Sequence, residues 1–122
     1  MAKIFVLEDD RDIREILAWT LEAEDYEVVT FASILDFMNR DTSVFPNLLI
    51  LDIMLTDGSG LDVCNRLKLE GAYQHIPIIM MSAHASKEQV KMGCRADDFI
   101  QKPFELNHFL HTIRSHIGSN PS

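Results

Sequence analysis

Three stretches of this chain are apolar without interruption, and each ends in a group that carries charge or a hydroxyl. Ile4 to Leu7 runs into Glu8 and Asp9, Leu48 to Leu51 into Asp52, and Ile78 to Met81 into Ser82. A shorter run, Phe99-Ile100, is followed by Gln101 and Lys102. Strands buried on both faces read as near-continuous hydrophobic runs. In an open parallel sheet, ligands bind beyond the carboxyl ends of the strands. If the four runs are parallel strands, three carboxylates, a hydroxyl and an ammonium meet at one edge. That combination suits a divalent cation and a phosphoryl group.

The segments between the runs have helical period. Ile13, Ile16, Leu17 and Leu21 predict an inward face for a helix from Asp12 to about Glu24. Tyr26–Phe31 alternates and is β-branched, as in an edge strand. Ser33 is placed to cap a short helix that buries Ile34, Phe37 and Met38. Pro46-Asn47 breaks the chain, and Asp57-Gly58-Ser59-Gly60 reads as a loop. Leu61, Cys64 and Leu67 give the next helix its inward face. Pro77 falls near the start of the strand Ile76–Met81, where a missing N–H is tolerated. Ser86-Lys87-Glu88-Gln89 resembles a capping box, and Gly93 is a plausible stop. That leaves about two turns of helix, with Val90 and Met92 as its thin apolar content. Phe99–Gln101 is a short strand. Leu106, Phe109, Leu110, Ile113 and Ile117 mark a last amphipathic helix, and 118–122 is a polar tail. Strand and helix thus alternate five times, which implies a doubly wound α/β fold with a parallel sheet and right-handed crossovers.

A length of 122 residues suits one domain with one core. The net charge of −8 argues against a nucleic-acid surface, which needs a basic face. No apolar run approaches the ~20 residues that span a bilayer. Met1-Ala2-Lys3 enters a strand pattern at once, so no signal peptide is expected. Cys64 and Cys94 lack CxxC spacing and read as reduced buried thiols of a cytoplasmic protein rather than a disulfide or metal site. His108 and His111 lie three apart on the last helix, but no third ligand accompanies them. Trp19 falls off the inward stripe of its helix, so it is either half-buried packing or a docking surface.

Leu7-Glu8-Asp9-Asp10, Leu49-Ile50-Leu51-Asp52, Met81-Ser82-Ala83 and Gln101-Lys102-Pro103-Phe104 resemble, in order and spacing, the four motifs of response-regulator receiver domains. The resemblance covers roughly residues 3 to 117, with 1–118 as the domain and 119–122 as a flexible tail. It implies a flavodoxin-like sheet in order 2-1-3-4-5. It makes Asp52 the phosphoacceptor, and a carboxylate can act as such a nucleophile. It also implies Mg²⁺ (or Mn²⁺) held by Asp9, Asp52 and the Met54 carbonyl, with Glu8 acting through a water. Mg²⁺ favours such oxygen ligands. Strand alternation turns Asp10 away from Asp9 and leaves it a supporting role. Lys102 and Ser82 would each engage a phosphoryl oxygen, and the Lys102–Pro103 bond would be cis. Phe99 takes the place of the switch aromatic that moves with Ser82. The implied partners are a histidine kinase or histidine phosphotransfer protein, which dock on the first helix and the loop after the last strand. A downstream protein or an output domain beyond this chain would follow. No direct contact with nucleic acid or membrane is expected.

The chain departs from the family pattern in places. Ser82 to Lys102 spans twenty positions, about two fewer than usual, and the shortening falls at the fourth helix. Arg95 stands where Gly is common, and Thr56 where Pro is common. His108 and Thr112 replace the acid and Arg through which one DNA-binding subgroup pairs its receivers. Three other functions compete. An aspartyl-phosphate phosphatase of the haloacid-dehalogenase type needs a second Asp two residues after the nucleophile, where this chain has Met54. A flavin or nucleotide binder needs a Gly- or hydroxyl-rich loop where it has Glu8-Asp9-Asp10. A phosphate-independent binding module has no need of the acceptor, acidic pair and lysine.

Overall fold

The structure, a computed structural model, describes residues 1–84 and 87–117. Its main sheet has five parallel strands: β1 (Lys3–Leu7), β2 (Glu27–Phe31), β3 (Leu48–Asp52), β4 (Ile78–Ser82) and β5 (Asp98–Gln101), in the order 2-1-3-4-5. Five helices connect and follow them: α1 (Arg11–Glu22), α2 (Ile34–Met38), α3 (Gly60–Leu69), α4 (Lys87–Gly93) and α5 (Leu106–Ile117). The expected order and element types are therefore observed, including the short fourth helix. The Ser86 cap and the tail 118–122 lie outside the described residues.

Each central strand is buried on both sides because its alternate residues feed two separate cores. Phe5, Leu7, Leu49, Leu51, Ile78 and Met80 pack beneath α2, α3 and α4 with Phe37, Val63, Cys64, Leu67 and Val90. Ile4, Val6, Leu48, Ile50, Ile79 and Met81 pack beneath α1 and α5 with Leu17, Leu21, Phe109, Leu110 and Ile113. The caps follow from residue type: Asp10 accepts from the Ile13 N–H, and Ser33 from that of Asp36.

Some inward-facing expectations fail at helix edges. Ile16 is 46% exposed, because Ile13, Leu17 and Leu21 already fill the stripe over the sheet and Ile16 lies a step around the helix. Met38 ends a five-residue helix whose Phe37 fills the space below, and it is exposed. Leu106 opens α5 and is likewise exposed. Trp19 is 66% exposed, so packing does not account for it.

The stretch expected to be a plain loop after β3 has order of its own. Met54–Leu55 pairs antiparallel with Gly58–Ser59 in a miniature hairpin. At its turn both carboxylate oxygens of Asp57 accept backbone N–H groups of α2, from Ile34 and Leu35, each at 3.0 Å. Gly58 has φ 151°, open to glycine and strained for other residues. Ser59 then caps α3 through the Leu61 N–H.

Candidate functional site

The carboxyl ends of β1, β3, β4 and β5 bring five groups together. Glu8 continues from β1 and hydrogen-bonds through its N–H to the Phe31 carbonyl at the end of β2. Asp52 is the last residue of β3, and Ser82 the last of β4. Lys102 follows β5, tied to β4 by its N–H to the Ser82 carbonyl at 2.9 Å, and the Lys102–Pro103 bond is cis. Glu8, Asp52 and Ser82 are the buried polar residues of this edge. Apolar strand residues force these groups to the edge, since the runs behind them fill both cores.

Within the cluster the Lys102 ammonium donates to Glu8 Oε1 at 2.6 Å and to Asp52 Oδ2 at 3.0 Å. Asp52 Oδ1 accepts the Met54 N–H at 3.3 Å, which ties the Asp52 carboxylate to the loop that follows it. Ser82 Oγ accepts the His84 N–H at 3.0 Å. Glu8, Asp9 and Asp52 each offer an oxygen, all within 4.8 Å of one another, an arrangement that could hold a metal ion. Arg14 caps the carbonyls behind them, reaching Glu8 O at 2.9 Å. Asp10 points elsewhere and caps α1, as strand alternation requires.

Electrostatically the cluster is short of positive charge. Burial, and then the neighbouring Asp52 carboxylate, push the Glu8 carboxyl up to about 8, against the pull of Lys102. Glu8 Oε2 is buried and, among the described residues, has no hydrogen-bond partner. Burial works against the Lys102 ammonium, but its bonds to Glu8 and Asp52 outweigh that and raise its pKa. An unpaired buried carboxylate oxygen is costly, and a cation among the three acids would relieve it.

The remaining expected residues surround this centre. Phe99 is partly buried against the core beneath α4, beside Met80 on the neighbouring strand. Met54 is exposed beside the cluster, as is His84, which the motifs did not single out. Sequence reasoning missed Gly60. Its N–H donates to the Ile53 carbonyl at 2.8 Å, and a Cβ there would stand 2.0 Å from the Asp52 carbonyl oxygen. The small residue just before an apolar helical face was the available signal.

A family model described as "Response regulator receiver domain" matches residues 4–114. The phosphate regulon transcriptional regulatory protein PhoB of Escherichia coli is 32% identical over 115 residues, covering 93% of this chain and 50% of PhoB. This chain therefore spans about half the length of the PhoB sequences it matches. The polar-differentiation response regulator DivK of Brucella ovis is 32% identical over 119 residues, covering 94% of this chain and 95% of DivK. The non-phosphorylated HemR receiver domain from Leptospira biflexa superposes with a TM-score of 0.88 at 27% identity, covering 100% of this chain and 98% of that one.

Proposed function

This chain belongs to the response-regulator receiver family of two-component signalling, and from that premise we propose that it is a switch set by phosphorylation of Asp52. The observation that carries the reading is the placement of Lys102. Its ammonium lies between Asp52 and Glu8, with Asp9 completing a three-carboxylate cluster.

The proposed chemistry uses few groups. An Asp52 oxygen attacks the phosphorus of a phosphohistidine donor, the P–N bond breaks, and the imidazole leaves with a proton. Hydrolysis later returns Asp52 and inorganic phosphate. Lys102 pairs with one phosphoryl oxygen as a point charge. Ser82 donates its hydroxyl proton to another phosphoryl oxygen, and Phe99 follows it inward. The donor set fits Mg²⁺ or Mn²⁺: hard oxygens from Asp9, Asp52 and the Met54 carbonyl, with Glu8 through a water. The orphaned Glu8 Oε2 supports a cation there. Such a cation supplies neutralisation of charge as phosphate approaches carboxylates.

The phosphodonor surface is the groove beside the site. It is lined by Ile13, Ile16, Leu17, Pro103, Phe104 and Leu106, with a volume of about 440 Å³. Lys102 and Ala83 line it too, and Lys102 is the ion-pair partner of Asp52. The exposed Ile16 and Trp19 extend α1 as an apolar contact for a histidine kinase or phosphotransfer domain. We place the protein in the cytoplasm, where such donors work; no helix among the described residues is long and apolar enough to cross a membrane.

Intact-mass measurement after treatment with Mg²⁺ and acetyl phosphate or a kinase tests the assignment. One base-labile phosphate is expected on the wild type and none on Asp52→Asn. Full labelling of Asp52→Asn sinks it.

A further inference from the structure

The two cysteines lie thirty positions apart in sequence, and the fold buries both in one core. Cys64 is in the middle of α3 with no exposed surface; Cys94 directly follows α4 and keeps 7% exposure. Both belong to the core beneath α3 and α4. Their chain neighbours are clasped together: Asn65 Nδ2 donates to the Gly93 carbonyl at 2.6 Å. A Cβ on Gly93 would lie 3.0 Å from Leu61 Cδ1, so the lack of a side chain there lets the end of α4 approach α3. Each thiol is the strongest influence on the titration of the other. Neither has a part in the Asp52 site.

Cys94 is suited to react first. It is the more exposed of the two. The neighbouring Cys64 thiol lowers its pKa against burial, and the Ala96 N–H and the Lys68 ammonium add to the effect. The same pairing raises Cys64. Thiolates held by nearby donors and cations are the reactive ones. The two-turn α4 beside it is too short to hold itself helical without packing, which gives a small oxidant a route by local opening.

We propose that Cys64 and Cys94 form a dithiol site that reduces a peroxide and closes to an intramolecular disulfide between α3 and the α4–β5 junction. The Cys94 thiolate attacks a peroxide oxygen, the O–O bond breaks, and Cys94 becomes a sulfenic acid while hydroxide leaves. Cys64 sulfur then attacks the sulfenic sulfur, its proton departs with the hydroxyl as water, and the S–S bond forms. The two sulfurs together supply the two electrons that the peroxide takes. The closed bond ties α4 to α3, on the sheet face opposite α1 and α5.

Hydrogen peroxide on the reduced full chain tests this, read by intact mass and by alkylation after unfolding. The expected product is a monomer 2 Da lighter, blocked at both thiols, restored by dithiothreitol, with peptide mapping joining Cys64 to Cys94. Cys64→Ser should leave a sulfenic acid on Cys94 that dimedone traps; Cys94→Ser should leave Cys64 a free thiol at the same dose. The wild type supplies a control that does not depend on variant folding. Native protein should close the bond at least about tenfold faster than the chain in concentrated urea, which must first close a loop of roughly 30 residues. Equal rates native and unfolded, a disulfide only between molecules, or over-oxidation of Cys94 without cross-linking would each overturn the proposal.

Discussion

Replacing Gly60 by Ala should damage both the stability and the site, although the change adds one methyl group. The Cβ would stand 2.0 Å from the Asp52 carbonyl oxygen, 2.9 Å from its carbon and 3.2 Å from Ile53 Cα. Relief needs about 1 Å of movement before even 3.0 Å is reached. Dispersion contacts have their optimum near 3.5 Å or beyond. All three neighbours are backbone, so no rotamer can absorb the shift. Either the first turn of α3 lifts off or the end of β3 moves, and the Gly60 N–H to Ile53 O bond of 2.8 Å strains with it. Overpacking costs typically about 1–3 kcal/mol, and backbone against backbone places this at the top, about 3 kcal/mol. For a domain with a total stability of roughly 5–15 kcal/mol, that lowers the melting midpoint by about 12 °C. Thermal and urea unfolding followed by circular dichroism measure the midpoint and the free energy, with Gly71→Ala as control, since a Cβ there meets nothing within 4 Å. A displacement of this size at a reacting group costs on the order of 100-fold in rate, so phosphoryl uptake at Asp52 should fall as well. A Gly60→Ala protein within about 0.5 kcal/mol of wild type, with unchanged uptake, would refute the clash and the role given to this glycine.

Asp9→Ala should weaken Mg²⁺ binding by roughly tenfold or more, whereas Asp10→Ala should leave it near wild type and cost about 1 kcal/mol through the lost α1 cap; equal losses of affinity in a titration would show the pair to be in the other register. The bonds from Ile34 and Leu35 N–H hold the Asp57 carboxyl below its usual range. Its contribution to α2 is therefore present above the ordinary carboxylate pKa and lost as pH falls through the depressed one. Amide shifts of Ile34 and Leu35 should titrate together with a midpoint below 3.8, and a midpoint at or above that value would remove the cap. Met54→Asn should change the lifetime of phosphorylated Asp52 by about tenfold, roughly 1.4 kcal/mol of barrier, with little effect on Mg²⁺ affinity, because the Met54 side chain is exposed beside the acceptor while only its backbone faces the cluster. An unchanged decay would take Met54 out of the hydrolytic path.

The sheet was legible because burial on both faces leaves a strong mark. Leu48 to Leu51 has no polar residue to spare, and a strand so composed must be central. The polar ends were legible for the same reason, since Glu8, Asp52 and Ser82 stand where an apolar run stops. What stayed hidden depends on pairs distant in sequence. Nothing in Asp57-Gly58 announces that a carboxylate will reach back 23 and 22 positions to Ile34 and Leu35. Ile16, Met38 and Leu106 have core composition but sit where a stripe or a helix runs out, and period alone does not record where the sheet ends. Cys64 and Cys94 look solitary because sequence spacing measures neither the α3–α4 packing nor the Asn65–Gly93 clasp.

The contact between Glu8 and Lys102 shows how this limit bears on the site. The motifs place an acid after β1 and a lysine after β5, but they do not say which acid the lysine favours. Lys102 lies nearer to Glu8 than to Asp52, at 2.6 against 3.0 Å. Glutamate carries one methylene more than aspartate, and that reach lets a fully buried carboxyl at the end of β1 meet an ammonium arriving from β5. The lysine is thus shared between Glu8 and Asp52, the proposed acceptor. Moving it onto a phosphoryl oxygen means leaving Glu8 with one fewer partner, in a cluster where Oε2 already has none among the described residues. A cation beside Glu8 and Asp9 offsets that loss, so cation and phosphoryl group should each favour the arrival of the other.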